Sequence, residues 1–180
     1  MGRYSLTGKI EEPITDTEFA EGMASGHFVE DNHRAFCILL FYTGVRRGEA
    51  IRVTKQQFQN SDKAIMYNVG ERLKHSKETP ILKLPLSAPY MDELQKLIEE
   101  TKSGEPLFRF CPKTAYNIVR RVFKYPHLFR LTRITTFFQQ GYTIAQLRSW
   151  TGLSLAALEY YVGVVDTQKM GDSLAKVAAR

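Results

Sequence analysis

Cysteine is scarce in this chain: two in 180 residues, Cys37 and Cys111. Two thiols that far apart form neither a disulfide framework nor a metal-ligand spacing, which fits a reducing, intracellular compartment. Cys37 lies within the apolar run AFCILLFY and reads as a buried thiol. No stretch approaches the roughly 18 apolar residues that a membrane span requires. The polar start MGRYSLTGKIEE is no secretory signal, and Met1-Gly2 is followed by Leu6 where myristoylation needs Ser or Thr. Internal repeats and low-complexity tracts are missing too. Secreted, membrane-spanning, fibrous and metal-clustered classes are thereby set aside.

What is present is a basic, core-forming chain. Hydrophobic residues make up 43% of it, and a domain of this size buries roughly 70% of the surface that its unfolded chain exposes. Twenty-five Lys and Arg against nineteen Asp and Glu give a formal charge of +6 and a pI near 9.3. That balance suits a polyanionic partner, since each phosphate neutralised releases counterions.

Along the chain, residues 1–13 read as a tail or linker remnant and 14–180 as one domain. Thr15 and Glu18 carry a capping-box signature that opens a helix over 16–24. Asn32 to Tyr42 reads as a buried core helix, and a short helix follows from Arg46 to Arg52. The period then changes to two: Ile65, Tyr67 and Val69 alternate in KAIMYNV, and Leu82, Leu84 and Leu86 in PILKLPL. These are strands joined by the long loop GERLKHSKET, with residues 54–59 as a third. Helical faces return at Met91, Leu94, Leu97 and Ile98, then at Ala115, Ile118, Val119, Val122 and Phe123. Pro126 opens a helix that Gly141 stops. Short helices are expected over 143–150 and 154–162, and a last one over 167–178. The fold class is therefore mainly α with a small antiparallel β-sheet (α+β).

Three remote segments carry chemistry: TGVRRGEA (43–50), HLFR (127–130) and LEYYVGV (158–164). The planar forks of Arg46 and Arg130 suit the non-bridging oxygens of a phosphate. His127 shares a helix face with Arg130 at i, i+3 and can move a proton near neutral pH. Tyr161 offers a phenol that can act as a covalent nucleophile.

In this arrangement the chain resembles the tyrosine recombinases, or phage integrases. Their first motif, T-G-x-R-x-x-E, is matched by Thr43, Gly44, Arg46 and Glu49. Their second, H-x-x-R-H, is matched by His127 and Arg130. Gly141 and Gly152 fall eleven and twenty-two residues after Arg130, at the family's spacing. Tyr161 takes the nucleophile position if the segment after Gly152 is shortened by one residue, and Tyr160 then becomes a core aromatic beside Leu155 and Leu158. The resemblance implies a DNA breaking–rejoining catalytic domain working through a 3′-phosphotyrosyl intermediate. Arg46 and Arg130 hold the phosphate, Glu49 braces the site, and His127 handles the tyrosine's proton. A hairpin lysine protonates the leaving 5′ oxygen; counting back from Pro85-Leu86 gives Lys77, with Lys74 the alternative. No metal or nucleotide cofactor is implied, in agreement with the lack of a P-loop or carboxylate cluster.

Two departures stand out. Leu131 replaces the family's second histidine, and Leu153 replaces a histidine or tryptophan. Neither leucine can donate a hydrogen bond, and losing one transition-state donor costs about 3 kcal/mol. Divergent members, particularly from archaea and their viruses, tolerate such changes. A DNA-clamping domain usually precedes the catalytic one, so this chain reads as the catalytic half. Its last residues, 163–180, resemble the helix that docks on a neighbouring protomer, which implies a tetramer on double-stranded DNA and a free monomer. Arg47, Arg52, Lys55, Arg120, Arg121, Lys124 and Arg133 are expected backbone contacts. A cytoplasmic, nucleoid-associated location follows, or the host cytoplasm for a viral chain. The rival readings are a decayed recombinase and a non-catalytic helix-turn-helix protein, in which TIAQLRSWTGLSLAALEYYV turns at Gly152 over a seam of Leu147, Leu155 and Leu158.

Overall fold

The run AFCILLFY forms the middle of a helix, Asp31–Thr43 (α2), in the computed structural model, which describes residues 12–70, 81–159 and 161. Every residue from Ala35 to Phe41 is buried, as a helix apolar on all sides requires. Ahead of it lies Asp16–Ala24 (α1) and after it the single turn Arg47–Ala50 (α3). A three-stranded sheet follows, Phe58–Asn60 (β1), Ala64–Asn68 (β2) and Ile81–Pro85 (β3). Helices Met91–Glu100 (α4), Pro112–Val122 (α5), Pro126–Gln139 (α6) and Ile144–Thr151 (α7) complete the named elements, and residues 155–159 are again helical. α2 touches α3, α4, α6 and β3, so it is the post around which the rest is arranged.

The local signals explain most of these boundaries. The Thr15 hydroxyl accepts from the Glu18 amide at 3.1 Å while Glu18 accepts from the Thr15 amide at 2.8 Å, which fixes the start of α1. Phe19 of α1 then stacks on Phe41, with ring centroids 3.8 Å apart, and sits near Phe123 and Phe129. This aromatic knot joins α1, α2, α6 and the end of α5. At its N-terminal side the Ile14 amide donates to the Thr132 hydroxyl at 2.8 Å, so the chain is docked on α6 before α1 begins.

Both strand pairs are antiparallel in the order β1-β2-β3. The expected alternation holds: Ile65, Tyr67 and Leu84 are buried, whereas Lys83 and Asn68 face solvent. The third strand is shorter than residues 54–59. Lys55–Gln57 curl into a 3-10 turn closed by the Thr54 amide donating to Gln57 Oε1 at 2.9 Å, leaving only Phe58–Asn60 to pair. The loop that carries Lys74 and Lys77, and the expected helix over 167–178, lie outside the described residues.

One glycine sets the geometry of everything downstream. Gly44 caps α2 at φ 59°, and a Cβ there would meet Arg133 Cβ at 2.8 Å and Trp150 Cη2 at 3.2 Å. Both the left-handed backbone and the space therefore require glycine. Gly141 is also left-handed, at φ 90°, yet open space surrounds it. Gly44→Ala should lower the unfolding free energy by about 2 kcal/mol or more, conformational strain and clash together. Gly141→Ala should lose the conformational part alone. Denaturant titration of both variants measures the difference.

Candidate active site

An open cleft of about 350 Å³ lies where the junction of α2 and α3 meets the start of α6. The junction contributes Val45, Arg46, Arg47 and Gly48; α6 contributes Pro126, His127 and Arg130. Tyr116 of α5 and Tyr125, the residue before α6, complete the lining. Arg46 and Arg130, 84 positions apart in the chain, thus share one cavity.

Arg46 is the residue that precedes α3, and its partner is three residues on. Glu49 accepts from the Arg46 amide at 2.7 Å through Oε2 and from its Nη1 at 2.9 Å through Oε1. Glu49 is buried, whereas the Arg46 side chain keeps 32% of its surface exposed, so one end of the guanidinium is held and the other is open to the cleft. Arg130 is almost fully buried. Its Nη1 donates to the Gly44 carbonyl at 3.0 Å and its Nη2 to the Thr151 carbonyl at 2.6 Å. These carbonyls end α2 and α7, where helix dipoles present their negative poles.

His127 stands one turn before Arg130, and its Nε2 lies 2.8 Å from the Tyr161 hydroxyl. Tyr161 itself is 8% exposed and belongs to the core. Withdrawal of the imidazole from water, the largest cause, and the positive charges of Arg130 and Arg46 together push the His127 pKa below its ordinary 6.5. At neutral pH the ring is consequently uncharged and can accept the phenol's proton. A phenol in contact with an imidazole, beside two arginines, is an arrangement able to support nucleophilic displacement at an anion.

The remaining predicted residues divide. Arg47 lines the cleft with its guanidinium carbon 5.7 Å from the centre of the Tyr116 ring. Arg120, one turn beyond Tyr116 on α5, is exposed on the same face. Arg121 and Lys124 are also exposed, yet Arg121 acts electrostatically on His33 at the far end of α2, and Lys124 on Glu18 of α1. Arg133 does not point outward as expected. Its Nε and Nη2 donate to the Phe41 carbonyl at 2.9 and 2.7 Å, and the rings of Phe41, Tyr42 and Phe137 surround it. It braces α6 against α2. Lys55 is similarly committed, donating to the carbonyls of Glu99 and Thr101 at 2.8 Å each. Lys74 and Lys77 fall outside the described residues.

Leu131 is buried in the core and Leu153 half-buried against it, so each apolar side chain replaces a donor with packing. The helix-turn-helix seam fails at one position: Leu147 and Leu158 are buried, but Leu155 is 49% exposed, while Tyr160 lies outside the described residues. Sequence reasoning overlooked Tyr116 and Tyr125. Tyr116 lies beside the apolar stripe of α5 rather than within it, and Tyr125 directly precedes a proline, so neither follows a pattern that marks a site.

Three kinds of comparison bear on this geometry. Over 100 residues the chain is 30% identical to the tyrosine recombinase XerC of Rickettsia bellii (strain OSU 85-389), the match covering 55% of this chain and 31% of that protein. The same protein from strain RML369-C matches equally. The chain thus spans about a third of the length of the curated relatives it matches. Among solved structures, the XerH site-specific recombinase bound to a palindromic difH substrate superposes with a TM-score of 0.73 at 15% identity, over 96% of this chain and 55% of that one. The XerA recombinase gives 0.63 at 18% identity, over 94% and 68%. The Tn1549 transposon integrase in complex with circular-intermediate DNA gives 0.60 at 17%, over 86% and 62%. No protein-family model matches.

The fold is that of the recombinase and integrase structures on which the chain superposes, a mainly helical domain with a small antiparallel sheet. More particularly, the chain is similar to the tyrosine recombinases, at 30% identity to XerC over 100 residues and with the fold of XerH.

His127 should titrate below 6.5 when followed by NMR, and Arg46→Met should move its pKa upward by removing one of the two repelling charges. The sign for stability follows. An unfolded histidine titrates near 6.5, so just below that value the unfolded chain holds more protons than the folded one. Stability should therefore fall as pH drops from about 6.5 toward the lowered folded pKa, a slope that thermal melts in wild type and His127→Gln will compare.

Proposed function

We propose that this chain is the catalytic domain of a site-specific DNA recombinase that cuts and rejoins double-stranded DNA through a 3′-phosphotyrosyl intermediate. The observation that carries the reading is the 2.8 Å contact of the Tyr161 hydroxyl with His127 Nε2, next to a cleft shared by Arg46 and Arg130. The likeness to recombinases that were solved on their DNA supports the choice of substrate.

The chemistry runs as an in-line displacement. The Tyr161 oxygen bonds to phosphorus as its proton passes to neutral His127, and the bond from phosphorus to the 5′ oxygen breaks. Arg46 and Arg130 stabilise the charge on the non-bridging oxygens while it builds. Lys77, or Lys74 in its place, delivers a proton to the departing 5′ oxygen. Attack by a 5′-hydroxyl of a partner strand reverses each transfer, regenerating the phenol and a phosphodiester. The energy of the original bond is conserved in the phosphotyrosine. Assembly as a tetramer on DNA belongs to the same proposal, as does a cytoplasmic site of action.

Wild-type protein incubated with a nicked suicide duplex should form a covalent adduct that survives denaturation, and Tyr161→Phe should abolish it. Adduct-free but sequence-specific binding by wild type would favour a recombinase that has lost catalysis, which Leu131 and Leu153 make chemically conceivable. Arg120→Gln should weaken binding on every sequence and reduce the salt slope by about one. Arg133→Met should leave that slope unchanged and instead cost about 1–3 kcal/mol of stability, because it orphans the Phe41 carbonyl; filter binding and melting measurements separate the two.

A further inference from the structure

Three arginines line the cleft, and they differ in what their donors already do. Arg130 spends Nη1 and Nη2 on the carbonyls of Gly44 and Thr151. Arg46 gives Nη1 to Glu49. The Arg47 side chain forms no hydrogen bond and no ion pair among the described residues, while its guanidinium lies over the Tyr116 ring at 5.7 Å. A cation held by a ring face is oriented without using any of its N–H groups, so the whole fork remains available to an anion. Across the same lining, the buried hydroxyl of Tyr125 also has no hydrogen-bond partner. A cavity whose lining holds idle donors suits an acceptor-rich occupant.

We infer that Arg47, positioned by Tyr116, is a third arginine that grips the non-bridging oxygens of the reacting phosphodiester. The inference rests on the recombinase reading above and changes the role of Arg47 from a general backbone contact to a catalytic residue. It also bears on the two leucines: a donor that Leu131 and Leu153 cannot provide would be supplied by Arg47. Tyr116 is a positioning residue, acting through Arg47.

Two measurements test this. In single-turnover cleavage of a suicide duplex at saturating DNA, Arg47→Gln should slow adduct formation by about a hundredfold while shifting the DNA Kd by no more than about threefold. Arg47→Lys should recover only part of the rate, because an ammonium lacks the planar fork. Tyr116→Ala should lose rate and Tyr116→Phe, which keeps the ring face, should recover most of that loss, with melting temperatures of all variants recorded to identify any that unfold. A weakened Kd with an unchanged rate would return Arg47 to the status of a backbone contact and overturn the inference, while leaving the recombinase reading intact.

The second measurement does not depend on turnover. Inorganic phosphate titrated into the wild-type domain should move the Arg47 Nε–Hε resonance saturably, and Arg47→Gln should weaken phosphate binding at least tenfold. An unmoved resonance, or equal affinity in the variant, rejects the third grip even if DNA is cut. Saturable phosphate binding by Arg47 in a protein that forms no adduct would uphold the anion site and reject the reaction.

Discussion

The arrangement depends on one buried guanidinium. Arg130 ties the last carbonyl of α2 to the last carbonyl of α7, across 86 and 21 residues of chain. Helix ends carry unsatisfied oxygens, and here a single charged fork satisfies two of them. That places Gly44, and with it Arg46, at a fixed distance from the start of α6. Arg133, one helical turn further along α6, repeats the device on the Phe41 carbonyl. Two arginines on consecutive turns thus clamp α6 to the same end of α2, and the cleft is the space left beside the clamp.

Charge accumulates at that point, and the domain tolerates it in a graded way. Glu49 offsets Arg46, while the α2 and α7 carbonyl poles offset Arg130. His127 is pushed toward its neutral form first by withdrawal from water and then by the uncompensated charge of Arg130 and Arg46. The same excess that would attract a phosphate helps to keep the neighbouring imidazole uncharged. A bound phosphate would partly relieve that repulsion and so raise the affinity of the imidazole for a proton.

How much of this the sequence disclosed depends on the kind of signal. The length of an apolar run revealed α2, periodicity revealed α4 and α5, and the alternation at Ile65, Tyr67 and Leu84 revealed the sheet face, because burial imposes those patterns directly. Capping chemistry located α1 within a residue. The junction of 54–59 was less legible: a side-chain bond between Thr54 and Gln57 competes with strand pairing, and propensity does not register it. At the candidate site, Arg46, His127, Arg130 and Tyr161 were singled out by residue type, spacing and the resemblance, and tertiary folding brings Arg46 and Arg130 to one cleft and Tyr161 to His127. Arg133 was misread because a charged residue on a helix is ordinarily solvated, and nothing local announces that the Phe41 carbonyl and three rings await it. Tyr116 and Tyr125 were missed for the complementary reason, since their importance comes only from what tertiary folding sets opposite them.

Leu158 is fully buried three residues before Tyr161, and both lie on one side of the last described turn. That leucine is a root for the segment. Swinging the phenol through its two side-chain torsions leaves the root in the ground, whereas lending the tyrosine to a neighbouring subunit would pull it out and wet a leucine, at roughly 1.5–3 kcal/mol. Under the proposed reaction, a rooted tyrosine would reach a phosphate in the cleft beside His127 more readily than one held by a neighbouring subunit.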